Sequence, residues 1–207
     1  GKEHPAYRFI EDRRIPNDND IYLVNQFYSW TNNLVPNKFP TLDGDHPRMV
    51  IPFRDSNGDI FAYQGRAFGN EKPKYITIIL DDSVPKIFGL DRVDTTSDIL
   101  VVEGPIDSLF IQNCIAVAQS DLRVPQYKDK AILVPDNEPR NREVIKQIEK
   151  AIDENYRVVV WPDYVRQKDI NDMILSGLDA VEIMDIISNN TFQGLSAKVE
   201  LQKWKRT

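Results

Sequence analysis

Residues 100–107 have the sequence LVVEGPID, and residues 132–138 have the sequence ILVPDNE. Each is a short apolar run that ends on a carboxylate. In an α/β protein the carboxyl ends of neighbouring parallel strands meet at one edge of the sheet, so we expect Glu103, Asp136 and Glu138 to lie together. Clustered carboxylates repel one another unless a cation lies among them, and such hard oxygen ligands suit magnesium better than zinc or iron. The two stretches therefore predict metal-assisted phosphate chemistry.

Composition limits the class of protein. The chain has 207 residues, of which 41% are hydrophobic and 28% are charged, as is typical of a folded globular protein. A single cysteine, Cys114, and two histidines, His4 and His46, exclude a disulfide framework and a zinc site built from Cys and His of this chain. The apolar stretches are too short to cross a bilayer, so we expect an intracellular protein with no membrane partner.

Charge is unevenly distributed although the net charge is −6. Residues 48–74 hold five basic and three acidic side chains, whereas residues 98–138 hold seven acidic and three basic ones. A basic segment before an acidic one is what an enzyme needs to hold a polyanion against a bound metal, and solvated surface charge explains such an imbalance about as well.

Local patterns predict the order of the elements. Pro5 at a helix start predicts a short helix, and residues 21–30 fit a helix or a strand. Two runs on either side of the turn Asp55–Gly58 predict a β-hairpin. Beyond residue 95, strands near 99–102, 115–118, 131–134 and 157–161 alternate with helices, which is typical of a parallel sheet. One helix has Val144, Ile148 and Ile152 on its apolar face and Gln147 facing water; a second holds Val181, Met184 and Ile187.

These patterns predict an α/β fold in which a parallel sheet flanked by helices follows a smaller mixed α+β subdomain. We expect the smaller subdomain to span residues 1–95, the parallel-sheet domain residues 96–185, and a C-terminal tail residues 186–207. The last segment fits a strand by its alternation and a helix by its composition.

Three further carboxylates have both a functional and a structural explanation. Asp107 follows Gly104 and Pro105, so a helix there would turn it back toward the strand end, or it would favour a helix N-terminus. Asp169 and Asp172 follow the run at 157–161, where they could reach the same edge, or where Asp169 could cap a helix.

At this point the motifs resemble a known family. The pattern hydrophobic-Glu-Gly-x-x-Asp, then hydrophobic-Asp-x-acidic, then Lys168-Asp169, is similar to the Toprim domain of bacterial-type primases, topoisomerases and some nucleases. Residues 52–55, 64–66 and 72–75 resemble the segment that precedes this domain in bacterial-type primases, and residues 6–13 resemble the helix that opens their catalytic core. The chain looks most like primases of T-even-type phages. It departs from the family by having Glu138 where Asp is common, and Asn171 replaces an acidic residue.

The resemblance implies template-directed joining of ribonucleoside triphosphates into short RNA primers on single-stranded DNA, during DNA replication. It implies that Glu103, Asp136 and Glu138 are catalytic and bind Mg²⁺, with Mn²⁺ as an alternative. Asp107, Asp169 and Asp172 would be secondary ligands. The residues implied to hold the triphosphate and the template are Arg54, Arg66, Lys74 and Lys86.

The same resemblance implies a replicative helicase as a partner and a place in the cytoplasm, that of the host if the gene belongs to a phage. Bacterial-type primases carry a zinc-binding module at their N-terminus, and this chain offers no ligands for one. The main alternative is a Toprim-family magnesium-dependent nuclease, in which the same carboxylates activate water. A topoisomerase would need a separate domain that presents a tyrosine, and a non-catalytic nucleic-acid adaptor would not need all three carboxylates.

Overall fold

The computed structural model describes residues 4–16 and 20–206, and the chain forms two compact units, Gly1–Lys86 and Ile87–Thr207. The first unit therefore ends before residue 95, where we expected the boundary. Phe88 belongs to the second unit because its backbone N–H donates to the carbonyl of Ala116 over 2.7 Å and its carbonyl accepts from the Ala116 N–H over 3.0 Å. The functional division at residues 95 and 185 stays a prediction.

The first unit is an antiparallel sheet with two helices. Its elements are α1 (Pro5–Asp12), β1 (Tyr22–Val24), α2 (Phe27–Leu34), β2 (Arg48–Arg54), β3 (Ile60–Ala67) and β4 (Tyr75–Ile79). The strands lie in the order β1-β2-β3-β4. The predicted hairpin is β2 and β3, and the ambiguous segment 21–30 is a strand followed by the start of a helix.

The core of this unit forms where α2 packs on the sheet. Phe27, Val50, Tyr63 and Ile78 are buried together, and the Tyr63 hydroxyl donates to Thr31 Oγ1 over 2.9 Å. Gly65 lies directly beneath the Phe27 ring: a methyl group at position 65 would lie 2.4 Å from Phe27 Cε2 and Cζ. The absence of a side chain at this position lets α2 approach β3.

The second unit contains the predicted parallel sheet. Its elements are β5 (Ile99–Val102), β6 (Cys114–Ala116), β7 (Ala131–Leu133), α3 (Arg142–Asp153), β8 (Arg157–Val159), α4 (Ile170–Ser176), α5 (Ala180–Asn189), β9 (Thr191–Phe192) and α6 (Gly194–Trp204). The strand order is β6-β5-β7-β8-β9, in which β9 alone of these strands is antiparallel to its neighbour. The α/β fold class is therefore confirmed.

Two helix faces differ from expectation. In α5 the predicted Ile187 is buried and Met184 is half-buried, but Val181 is 69% exposed, and Ile183 is buried in its place. In α3 the predicted face is buried, but Gln147 does not simply face water because its Oε1 is buried. The final segment is helical: α6 buries Ala197, Leu201 and Trp204. Among residues 4–16 and 20–206, no helix has the length and apolar character needed to cross a bilayer.

We expect Gly65→Ala to lower the free energy of unfolding by about 1–3 kcal/mol, because the new methyl group overlaps the Phe27 ring and forces it out of place. Urea denaturation followed by circular dichroism measures this. The control is a double-mutant cycle with Phe27→Leu, which removes ring atoms: the double variant should cost less than the sum of the single ones. Additive costs would mean that the two positions do not contact each other.

We also expect Cys114 to be inert in the folded protein. It is the one cysteine of the chain, it is 3% exposed in β6, and burial raises the pKa of its thiol well above the usual range, so little thiolate forms. A chromogenic disulfide reagent at pH 8 should react slowly with the native protein and with one equivalent in guanidinium chloride. Rapid stoichiometric reaction under native conditions would show that β6 opens readily.

Candidate active site

The pairing of β5 with β7 brings the two acidic motifs together. The strands are parallel, with Val101 opposite Leu133, and the N–H of Val134 donates to the carbonyl of Val101 over 2.8 Å. Both apolar runs therefore end at the same edge of the sheet, with Glu103 following one and Asp136 following the other. The predicted proximity of these two carboxylates follows from the register of the strands.

Electrostatics show that the carboxylates affect each other. Burial raises the pKa of Asp136 to about 7, and the nearby charge of Glu103 adds to the effect. Burial also raises the pKa of Glu103, with a smaller contribution from Glu138, and Lys168 opposes it. Half-buried carboxylates with raised pKa values are typical of sites that bind a cation or transfer a proton.

Lys168 supplies positive charge to this cluster. Its Nζ lies 3.4 Å from Asp136 Oδ2 and 3.5 Å from Glu138 Oε2. Burial lowers the pKa of this ammonium, but the charges of Asp136 and Glu138 outweigh burial and the pKa is raised. Both carboxylates of the Asp-x-Glu motif thus face the Lys168 ammonium. The side chain of Lys168 remains about half exposed, at 51%.

Asp107 is turned back toward the strand end, although not by a long helix. Pro105 leads into one 3₁₀ turn, Asp107–Leu109. The Asp107 carboxylate folds over Gly104, where a methyl group would lie 2.9 Å from its Oδ2. Its Oδ1 accepts a hydrogen bond of 2.9 Å from the backbone N–H of Asn171 at the start of α4. Asp107 therefore links the first motif to the third.

The third motif forms the start of α4. Asp169 is the N-cap residue of α4, and its Oδ1 accepts a hydrogen bond from the Asp172 N–H over 2.8 Å. This is the helix-capping role that the sequence allows for Asp169. Its charge nevertheless contributes to the raised pKa of Asp136, so it lies near the cluster. Asp172 is in the first turn of α4, and Asn171 is 1% exposed.

The oxygen atoms of the clustered carboxylates are of the type that binds a hard divalent cation. Glu103, Asp136 and Glu138 offer carboxylate oxygens at an open sheet edge, and two of them carry raised pKa values from burial and mutual repulsion. In the described part of the chain, no three Asp, Glu, His or Cys side chains are grouped closely enough to hold a metal ion. Here the Lys168 ammonium lies against two of the oxygens that a cation would use.

The basic residues predicted to hold phosphates lie in the first unit. Arg54 pairs with Asp20 and donates from Nη1 to the carbonyl of Gly58 over 3.0 Å. Arg66 is 6% exposed; its guanidinium lies 3.9 Å from the centre of the Phe9 ring and its Nε donates to the Tyr75 hydroxyl over 3.2 Å. Lys74 is exposed and Lys86 is half-buried. The lysines are thus more accessible to a phosphate than Arg66.

Several residues at the site have contacts that the sequence did not indicate. Gln147 and Ser120 line a small cavity together with Glu103 and Asp136. Trp204 is 6% exposed and donates from Nε1 to Asn137 Oδ1 over 2.9 Å. For Lys168, the sequence signal is its position directly before Asp169 in the third motif. For Gln147 there is no such signal, because helix spacing places it on the solvent side. Nothing in the local sequence relates Trp204 to Asn137.

Comparison with known proteins gives a consistent result. The sequence is 39% identical to the DNA primase of Enterobacteria phage T4 over 99% of this chain and 61% of the phage protein. A crystal structure of the Aquifex aeolicus primase, with its zinc-binding and RNA polymerase domains, has a TM-score of 0.67 at 18% identity, over 98% of this chain and 61% of that one. A DnaG primase catalytic domain bound to ssDNA has a TM-score of 0.64 at 17% identity, over 93% of this chain and 75% of that one.

No protein-family model matches the sequence. The chain spans less than two thirds of the length of the phage T4 protein. By sequence it is therefore a relative of the phage T4 DNA primase, and its fold is that of the catalytic core of bacterial-type DNA primases.

Proposed function

We propose that this chain is the catalytic core of a DNA primase, which joins ribonucleoside triphosphates into short RNA primers on single-stranded DNA during DNA replication. The observation that carries the proposal is that, in a fold shared with primase cores, Glu103 and Asp136 follow adjacent parallel strands, and burial raises the pKa of both, with the charge of Glu103 adding to the effect at Asp136. A divalent cation at this edge would stabilise the charged forms of both carboxylates, and nucleotidyl transfer uses such a cation.

In this proposal Glu103, Asp136 and Glu138 hold Mg²⁺, or Mn²⁺ in its place. The bound ion would neutralise charge on the triphosphate and lower the pKa of the attacking 3′-hydroxyl. Asp107 holds the first motif against α4 through its bond to the Asn171 N–H, and Asp169 and Asp172 order the start of that helix. These three carboxylates contribute negative potential or water-mediated contacts.

In this proposal Lys168 has two successive roles, one before and one after a cation binds. While it lies against Asp136 and Glu138, its positive charge favours the ionised form of Asp136 and opposes the effect of burial on the pKa of that carboxyl. If these oxygens held a divalent cation, the half-exposed Lys168 ammonium would be available instead to a phosphate of the incoming nucleotide.

The first unit supplies further positive charge to the polyanions. Lys74 and Lys86 are accessible enough to contact the triphosphate or the template directly. Arg54 and Arg66 would have to give up existing contacts to bind a phosphate. Arg54 contacts Asp20 and Gly58. Arg66 contacts Phe9 and Tyr75.

The partners follow from the reaction. A DnaG catalytic domain has been solved with ssDNA, which supports a single-stranded DNA template here. Ribonucleoside triphosphates are the proposed substrates, and a replicative helicase that exposes the template is a proposed partner. A protein that primes phage DNA would act in the host cytoplasm, where that template lies.

We expect Glu103→Gln to reduce ribonucleotide incorporation at least about 100-fold, because the substitution removes one of the charges that hold the cation. The assay measures labelled ribonucleotides added in Mg²⁺ to single-stranded DNA, and in parallel to a short pre-annealed primer. Asp185→Asn, which removes an exposed carboxylate on α5, is the control and should retain activity.

Wild-type yield from Glu103→Gln would disprove the assignment of the site. If neither substrate is extended but Glu103-dependent cleavage of the DNA occurs, the chain is a nuclease and the primase proposal is wrong.

We expect Gly104→Ala to reduce extension roughly 10-fold, because the methyl group displaces the Asp107 carboxylate from the Asn171 N–H. Asp107→Asn is the matched variant: its side-chain oxygen still accepts that bond, so it should lose less activity than Glu103→Gln. An equal loss in Asp107→Asn and Glu103→Gln would show that Asp107 acts by its charge instead of its position.

A further inference from the structure

The end of α6 contacts the loop that carries the Asp-x-Glu motif. The Nε1–H of Trp204 donates to Asn137 Oδ1 over 2.9 Å. Two residues further on, the backbone N–H of Arg206 donates to the carbonyl of Pro139 over 2.9 Å. The C-terminal helix therefore binds the segment 137–139 from both a side chain and the main chain.

Asn137 also binds the loop before the third motif. Its Nδ2 donates to the carbonyls of Val165 and Gln167 over 3.0 and 3.1 Å, and its backbone N–H donates to the carbonyl of Lys168 over 2.6 Å. Both amide hydrogens and the side-chain oxygen of Asn137 are thus used. The amide can take only this orientation, since an indole N–H only donates and a carbonyl only accepts.

A second indole holds the other side of Asp136. The Nε1–H of Trp161 donates to the carbonyl of Pro135 over 2.7 Å, and Trp161 is 3% exposed. Two buried indole donors therefore fix residues 135 and 137, between which Asp136 lies. This bracing leaves Asp136 little freedom to turn away from Glu103 and Lys168.

We propose that Trp204 is a positioning residue that acts through Asn137 on Asp136 and Glu138, so that this one side chain of α6 serves the site as well as the fold. The expected effect on primer extension rests on the proposed function. The expected effect on Mg²⁺ binding does not, because it depends only on the contacts of Trp204 and Asn137. A partner that orients the neighbours of metal ligands in this way commonly alters affinity or rate 10- to 100-fold when removed.

The indole N–H signals give a readout that does not depend on activity. The chain has three tryptophans, Trp30, Trp161 and Trp204, so a ¹⁵N-labelled sample should show three such signals, and Trp204→Phe assigns one. Titration with Mg²⁺ alone should shift the signals of Trp161 and Trp204, whose indole N–H groups donate to the residues on either side of Asp136. No shift of the Trp204 signal at saturating Mg²⁺ would overturn the proposal.

Trp204→Phe keeps an aromatic ring in the core and removes only the donor. We expect it to weaken Mg²⁺ binding, followed on the Trp161 signal, about 10-fold, and to lower kcat for extension of a pre-annealed primer about 10- to 100-fold. The KM for ribonucleotides should change less than about 2-fold, because Trp204 is buried and offers a nucleotide little surface.

Leu201→Ala is the control for a merely structural effect. It loosens the packing of α6 at a buried position but leaves the Trp204 donor in place, so the melting temperature should fall while Mg²⁺ affinity and kcat stay near wild type. Wild-type Mg²⁺ affinity and kcat in Trp204→Phe, or equal losses in both variants, would overturn the positioning role. If Trp204→Phe weakens Mg²⁺ binding and wild type extends no primer, the positioning role holds and the proposed function fails.

Discussion

The in-register parallel pairing of β5 with β7 is the constraint on which the site depends. Because Val101 lies opposite Leu133, the two apolar runs end at the same edge of the sheet and bring Glu103 and Asp136 close together. The resulting repulsion appears as raised pKa values at Glu103 and Asp136, on top of the larger effect of burial. Positive charge must be brought to this edge, and the start of the third motif brings it as Lys168.

The parts of the site that the sequence predicts are those set by strand geometry. A strand has a period of two residues and a defined end, so a carboxylate that follows a buried run can be placed without knowing what packs around it. Glu103 and Asp136 belong to this class. Lys168 and Gln147 do not: their roles depend on how a loop and α3 pack on the sheet, which no local periodicity contains. The same limit explains Val181, since only tertiary packing decides which face of α5 is buried.

Motif residues in the first unit show that a functional resemblance and a packing role can share the same positions. Gly65 and Arg66 lie in a segment that resembles bacterial-type primases, yet Gly65 makes room for Phe27 and Arg66 is held between Phe9 and Tyr75. A buried guanidinium over an aromatic face is stabilised by cation–π attraction and by its hydrogen bond, which offset its desolvation. Such a residue shapes the surface that carries Lys74 without itself being exposed to a ligand.

Hydrogen bonding explains why the middle residue of the Asp-x-Glu motif is an asparagine, Asn137. The buried indole N–H of Trp204 needs an acceptor, and the carbonyls of Val165 and Gln167 need donors. The side chain at position 137 contacts all three groups, so it must both accept and donate. A carboxylate could accept but not donate, and an amide does both, so Asn is required by its neighbours and not by any cation. The two flanking carboxylates can then remain ionisable while the residue between them holds the backbone in place. In this way the last helix of the chain, far away in sequence, determines the geometry of an acidic motif that begins at the end of a strand.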